Sequence, residues 1–218
     1  MKLAIVSTSL GGFDKTSDHV AQSLEHDYFM FTDENFPPRS RAMTPRLQAK
    51  IPKMFGWQMA PGYDYYLWID GNLTMEHPDL LKFFYDSLQG YDVVVLKHPR
   101  RNNVRWEMRY LYRGIKTGSR YMFSRYDGEM WKQQYEEISA DKEFVDDMLV
   151  NGGIFMYRNT PKVHAMMKDW WYHVSRYNVQ DQISLAYVLK KSGLKVNVLP
   201  IIYNEWEYLS HRGHAKRG

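Results

Sequence analysis

Tyr63-Asp64-Tyr65-Tyr66-Leu67-Trp68-Ile69-Asp70-Gly71-Asn72 is an aromatic and aliphatic run that stops on an acid, a glycine and an amide. From Tyr65 to Ile69 it has the length and the β-branched and aromatic content of a strand buried on both faces, as in a parallel sheet covered by helices. Open α/β sheets bind ligands at the carboxyl ends of their strands, so Asp70 and Asn72 stand where chemistry is usually done. A carboxylate and a side-chain carbonyl two residues apart suit a hard divalent cation beside a diphosphate. The same pair also suits a plain strand-ending turn, and this stretch alone leaves both readings open.

Outward from that run, strands alternate with helical patterns. Upstream, Leu3 to Val6 reads as a buried strand followed by the small-residue loop Ser7-Thr8-Ser9-Leu10-Gly11-Gly12, which lets backbone approach a ligand. Ser17 to His26 reads as a short helix with Val20, Ala21 and Leu24 on one face, and Asp27 to Thr32 as a second strand. Thr44-Pro45 has the form of an N-cap and first helical position, which sets Arg46 and Lys50 four apart on one face. Downstream, His77-Pro78 opens a helix with an apolar stripe of Leu80, Leu81, Phe84 and Leu88. Asp92 to Leu96 follows as a strand. Val104 to about Arg113 and, more weakly, Glu129 to Leu149 read as helical. Gly153 to Tyr157 is a strand, Pro161 to Arg176 the clearest helix, Val179 to Lys191 another, and Lys195 to Ile201 a last strand. The Met and Trp stripe of 163–174 has core spacing. The expectation is a three-layer α/β/α sandwich with a mixed, mostly parallel sheet. It forms one domain over 1–218, with a basic then acidic, largely helical insertion at about 100–149.

The 218 residues suffice for one large core, and 16% aromatics exclude a disordered chain. With no cysteine, disulfides, thiolate metal sites and thiol nucleophiles are excluded. No run approaches a membrane span and Met1 to Val6 has no signal-peptide pattern, so the expectation is a soluble, cytoplasmic protein with no membrane partner. Net charge is +4 with a pI near 9.0. Its distribution is uneven: Lys97 to Arg125 holds nine Lys or Arg and one acid, Glu107, whereas Asp127 to Asp147 holds eight acids and two lysines. These blocks either pair with each other or serve an outside partner. Arg101, Arg105, Arg109 and Arg113 recur every four residues, interleaved with Trp106, Tyr110 and Tyr112, and Lys116, Arg120 and Tyr121 follow. On a helix, like charges at that spacing cost about 0.2–0.5 kcal/mol per pair, so an anion is expected to offset them, either the acidic block or a phosphate-bearing acceptor such as DNA.

Seven pieces in order resemble a nucleotide-diphospho-sugar glycosyltransferase of the GT-A type. They are Leu10-Gly11-Gly12-Phe13-Asp14, Phe31-Thr32-Asp33-Glu34, Pro45-Arg46 with Lys50, Leu67 to Asn72, Lys97-His98-Pro99-Arg100, Asn151-Gly152-Gly153-Ile154 and Gln180-Asp181-Gln182. More closely they resemble a family first described as a domain of unknown function and associated with plant Golgi proteins of mucilage polysaccharide synthesis. They are also similar to retaining enzymes related to glycogenin and to lipopolysaccharide galactosyltransferases.

The resemblance implies a nucleoside-diphosphate sugar donor, Mn²⁺ or Mg²⁺, and retention. It implies catalytic roles for Asp181 and Gln182 beneath the anomeric carbon and sugar contacts from Asn151, Gly152 and Gly153. Metal ligation is implied for Asp70, Asn72 and a tail histidine, His211 or His214, and diphosphate contacts for Arg46 and Lys216, with Lys50 beside them. Ser7, Thr8 and Asp33 would line the nucleotide, and His98, Arg100 and Glu107 would touch sugar or acceptor, with Arg101, Arg105 and Arg109 adjoining. Asn72 stands where the family pattern has a second aspartate, and a neutral carbonyl makes a weaker divalent site. The tail has the family's residue types at altered spacing, and it reads equally as a basic frayed terminus; Asp181 also reads as a helix N-cap. Two other classes compete: a nucleic-acid-binding module on a degenerate transferase fold, and a hydrolase, against which stands the lack of a Gly-x-Ser-x-Gly motif. Glycans and proteins are the alternative acceptors.

Overall fold

The computed structural model describes residues 1–14 and 18–212. In chain order its strands are β1 (Leu3–Ser9), β2 (Asp27–Thr32), β3 (Tyr65–Ile69), β4 (Leu73–Met75), β5 (Val93–Lys97), β6 (Val150–Arg158), β7 (Val196–Leu199) and β8 (Leu209–His211). The helices are α1 (Pro45–Gln48), α2 (Lys50–Met59), α3 (Leu80–Ser87), α4 (Val104–Lys116), α5 (Arg120–Tyr126), α6 (Trp131–Ala140), α7 (Pro161–Arg176) and α8 (Asp181–Lys191). The main sheet runs β2-β1-β3-β6-β5-β7. Pairings are parallel for β1 with β2, β1 with β3 and β5 with β7, and antiparallel on both sides of β6.

The inner strands β1, β3, β6 and β5 are buried on both faces, which is why they read as continuous apolar runs. Ala4, Val6, Tyr66, Trp68, Val93, Val95, Phe155 and Tyr157 enter one core with α2 and α7. Their neighbours Leu3, Ile5, Leu67, Ile69, Val94, Leu96, Ile154 and Met156 enter the other with α3. The period of two along each strand assigns alternate residues to the two sides. The result is a mixed, mostly parallel α/β sheet between helical layers. A third cluster joins α4, α5 and α6 to α8 through Val104, Met108, Leu111, Met122, Ile138 and Ile183. The 100–149 segment therefore packs beside the carboxyl edge of the sheet.

Thr44 and Thr160 cap α1 and α7, each followed by proline at the first helical position. Residues 18–26, expected as part of a helix, are not helical. They cross the molecule as a strap whose Val20 and Ser23 amides donate to the Met75 and Pro78 carbonyls, bonds that compete with a local helix. Only Trp131–Ala140 of the acidic block is helical; the chain from 141 to 149 has its polar groups claimed from outside. Asp141 and Glu143 bind Lys191, and Asp147 binds Lys190. Asp146 caps α4 by accepting from the Val104 and Arg105 amides, at 2.6 and 2.9 Å. The acidic block thus pairs with α8 and the α4 terminus; of the two partners left open for the arginine ridge, this one forms no ion pair with it among the described residues. Arg101 is not on that ridge either, since it precedes α4 and binds Glu107. No helix of the described residues is long and apolar enough to cross a membrane.

Candidate active site

The carboxyl ends of β1, β3 and β5 share one edge of the sheet. Because β6 is antiparallel to β3, its first residues lie at that same edge. Ile69 is opposite Ile154, and the Asp70 amide donates to the Gly153 carbonyl at 2.7 Å. This topology brings Asn151-Gly152-Gly153 beside Asp70-Gly71-Asn72. Gly71 is required sterically: a Cβ there would lie 2.5 Å from the Thr8 carbonyl oxygen of β1. The short pairing of β4 with β8 sets Leu73 opposite His211, and the Asn72 amide nitrogen lies 3.0 Å from His211 Nε2. His214 and Lys216, the other tail residues expected at the site, lie outside the described residues.

Two adjoining cavities open here, of about 490 and 240 Å³. Arg46, Lys50, Asp70, Asn72 and Arg125 line both. The larger extends over Thr8 to Gly11 and Trp68; the smaller over Asn151 to Gly153 and Gln180 to Gln182.

At the junction is a chain of four charges. Lys50 Nζ and Lys53 Nζ each lie 2.7 Å from Asp181 Oδ2, and Lys53 Nζ lies 3.2 Å from Asp70 Oδ1. Trp68 Nε1 donates to the same Asp70 oxygen at 2.7 Å. Asp181 is 7% exposed. Burial alone would raise its pKa, but the two ammonium groups outweigh that and hold it below the usual carboxylate range. Burial would likewise neutralise Lys53, and Asp181 and Asp70 reverse this, keeping it charged. Asp181 does not cap α8: Gln180 is the N-cap, its side chain accepting from the Gln182 amide.

Gln182 is reached by a second network. Gln180 Nε2 donates to Gln182 Oε1 at 2.9 Å and to Glu107 Oε1 at 2.6 Å, while Glu107 Oε2 binds Arg101. Glu107, expected to touch sugar or acceptor, is 1% exposed with both oxygens engaged, so in this structure it supports Gln180 and through it Gln182. Burial raises its pKa, opposed by Arg101. His98 is also buried; its Nδ1 accepts from the Arg100 and Arg101 amides, and burial together with the nearby Arg101 charge lowers its pKa to about 4. Arg100 is exposed at this corner.

Of the residues expected at the nucleotide, Thr8 lines the larger cavity and donates its hydroxyl to the Phe31 carbonyl. Ser7 is buried against Tyr28 and lines neither cavity. Asp33 accepts from the Gly11 amide at 2.9 and 3.0 Å, fixing a loop whose Gly11 and Gly12 have φ of 69° and 61°. Arg105 and Arg109 lie on the exposed face of α4, away from both cavities. Sequence reasoning missed Lys53 and Arg125. For Lys53 the signal was its spacing of three from Lys50 on one helix; Arg125 had none beyond its charge.

Among the described residues no three of His, Cys, Asp and Glu converge as a cation site. The donor set at the smaller cavity is instead mixed: the Asp70 carboxylate, the Asn72 amide oxygen if the amide is turned, and the His211 imidazole.

No curated protein is significantly similar in sequence. Solved structures similar to the chain include the following two. One is A197 from STIV, at 12% identity and TM-score 0.39; the other is a glycosyltransferase involved in the glycosylation of the major capsid of PBCV-1, at 10% identity and TM-score 0.47. Each alignment covers 92% of this chain and 82% of the other. Residues 41–211 match the TOD1/MUCI70 glycosyltransferase-like domain, a span that takes in the charge chain, the smaller cavity, the wall of the larger one from Thr44 onward and the His211 contact, and the chain belongs to that family.

Proposed function

We propose that the protein transfers a hexosyl or pentosyl group from a nucleoside-diphosphate sugar to an acceptor hydroxyl, with retention of configuration. One observation carries this reading: two cavities of unequal size meet at a ring of Arg46, Lys50, Arg125, Asp70 and Asn72. A two-part ligand joined by a diphosphate suits that arrangement, with the nucleoside in the larger space, the sugar in the smaller, and the phosphates at the junction. The larger volume lies in the roughly 300–1,000 Å³ range of small-molecule sites.

The donor atoms of Asp70, Asn72 and His211 fit a divalent cation that keeps other positions for water and phosphate, as Mn²⁺ or Mg²⁺ does. When bound, such an ion would supply Lewis-acid stabilisation of the leaving diphosphate. The chain's own cations Arg46 and Lys50 act on the same leaving oxygens. As the anomeric C–O bond breaks, its electron pair goes to the diphosphate and positive charge develops on the ring. The Asp181 carboxylate, held ionised, stabilises that charge, and the Gln182 amide, fixed by Gln180, borders the ring. The acceptor hydroxyl enters on the leaving-group face, forms the new C–O bond and loses its proton to a diphosphate oxygen.

For the acceptor, the exposed face of α4 and α5 favours a polyanion. Arg105, Arg109, Arg113 and Lys116 are exposed and lack ion pairs among the described residues. Trp106, Tyr110, Tyr112 and Tyr121 are 44–46% exposed between them, and Arg109 stacks 4.8 Å from the Trp106 ring centroid. Stacking surfaces inside a cationic ridge suit DNA, so a modified base is the proposed acceptor.

Incubation with a panel of nucleotide sugars and Mn²⁺, with NMR of the product, tests the reading. An α-linked donor is expected to give an α-linked product, and Asp70→Ala to lose transfer while keeping its fold. An inverted product sinks the retaining assignment; full activity in Asp70→Ala sinks the role of that carboxylate. Arg105→Glu with Arg109→Glu is expected to abolish DNA binding and spare donor hydrolysis. Salt-independent binding, or none, points to a glycan or protein acceptor.

A further inference from the structure

We infer that Arg125, from the 100–149 segment, is a binding residue for the donor's diphosphate and acts beside Arg46. The inference rests on the donor reading above and adds a residue that the sequence motifs do not contain.

Arg125 sits near the end of α5 and lines both cavities at their junction. Arg46 Nη1 donates to the Arg125 carbonyl at 3.0 Å, so the two residues are tied together through backbone. Both guanidinium groups contact the same ring: the carbons lie 5.8 Å (Arg46) and 5.3 Å (Arg125) from the centroid of Phe13. Arg125 also lies 4.8 Å from Tyr121 and 5.9 Å from Tyr126. The Tyr126 hydroxyl accepts a hydrogen bond from the Arg125 side chain, but the ring faces that hold the cation supply no lone pair to its other N–H groups. Nε and Nη1 of Arg125 have no hydrogen-bond partner among the described residues.

The charge is only partly offset, by the Glu129 carboxylate acting on Arg46 from a distance. Neither Arg46 nor Arg125 forms an ion pair among the described residues. The carboxylates lining the same cavity include Asp127 and Glu129, and Glu129 is engaged with the Val179 amide at 3.0 Å. Burial and the Arg125 charge both make protonated Arg46 costly, which lowers its pKa. Two neighbouring guanidinium groups that repel each other, held by aromatic packing at the mouth between two cavities, are completed by an anion carrying more than one charge. A diphosphate meets that need, and charged N–H to phosphate oxygen bonds are the strong kind. Because α5 supplies one of the two arginines, the 100–149 segment becomes a wall of the donor site as well as a carrier of the basic face.

Calorimetric titration of the full chain with Mn²⁺, using a nucleoside diphosphate, the matching nucleoside and inorganic pyrophosphate, tests this. Arg125→Gln is expected to weaken the diphosphate and pyrophosphate about ten- to a hundredfold, the range of a charged hydrogen bond, and to leave nucleoside binding unchanged. Arg125→Lys, which keeps the buried charge and stem, is expected to weaken both by a smaller factor, and serves if the glutamine variant does not fold. Wild-type affinity for the diphosphate in a folded variant overturns the inference while leaving the donor reading intact. Pyrophosphate binding that depends on Arg125, with no nucleoside diphosphate bound by the wild type, supports the anion site and sinks the donor reading. Wild-type protein that binds neither sinks both.

Discussion

Lys53→Met removes the cation at the centre of the charge chain. The lysine is 2% exposed, and methionine matches its length without its charge. Breaking a buried ion pair by deleting one partner costs about 3–5 kcal/mol when the other is left bare. Here Asp181 keeps Lys50 at 2.7 Å and Asp70 keeps the Trp68 indole at 2.7 Å, so neither carboxylate is bare. The expected loss at pH 7 is therefore about 2–3 kcal/mol, below the full range. For a domain of this size that corresponds to a fall of about 4–12 °C in Tm.

The pH dependence has a definite sign. Asp181 has a folded-state pKa below its unfolded value, so its pairing contributes stability above pH of about 4 and loses it as pH falls through the folded value. In Lys53→Met only Lys50 opposes the effect of burial, and the carboxyl accepts a proton at higher pH. Once Asp181 is protonated Lys53 has no charge to serve there, so the gap between wild type and variant is full at pH 7 and narrows below about pH 4. Urea unfolding followed by tryptophan fluorescence across that range measures it, and Asp181→Asn completes a double-mutant cycle with Lys53→Met. A loss under about 0.5 kcal/mol at pH 7, or a gap that widens in acid, would refute the reasoning.

Gly71→Ala is expected to cost about 1–3 kcal/mol or more, because the added Cβ meets the backbone Thr8 oxygen at 2.5 Å and only strand movement relieves it; an unchanged denaturation midpoint refutes the close approach. His98, whose pKa is lowered to about 4 by burial and by Arg101, refuses a proton that the unfolded chain accepts below about 6.5, so stability declines from pH 6.5 towards 4. His98→Gln should flatten that decline, and an unaltered pH profile counts against the buried neutral imidazole. Gln182→Ala and Asp181→Asn should lower kcat far more than donor affinity, since both groups are proposed to act on charge that develops in the transition state. A rise in KM alone would recast them as ground-state contacts.

The inner strands were legible because burial on both faces leaves an unbroken apolar run, and 65–69 has the same bounds in sequence and structure, whereas the short β4 and β8 were not read as strands. The helix over 161–176 was legible because its apolar stripe is local. The strap over 18–26 was not, because its amides are satisfied by residues some 55 positions away. The acidic block was legible as charge but not as structure: its partners are on α8, and only packing selects them over the arginines of α4.

By itself, the sequence determined an α/β sheet whose third strand delivers Asp70 and Asn72 to its carboxyl edge, since chain chemistry alone ends a buried strand on polar residues there. Tertiary structure alone decided which side chains meet those two. An antiparallel β6 carries Asn151 to Gly153 to the same edge, and the β4 and β8 pairing carries His211 across 139 positions to Asn72. The state of Lys53 is of the same kind. A lysine in a core is neutral or charged according to the carboxylates that reach it; Asp70 reaches Lys53 from 17 positions away, at the end of β3, and Asp181 from the first turn of α8.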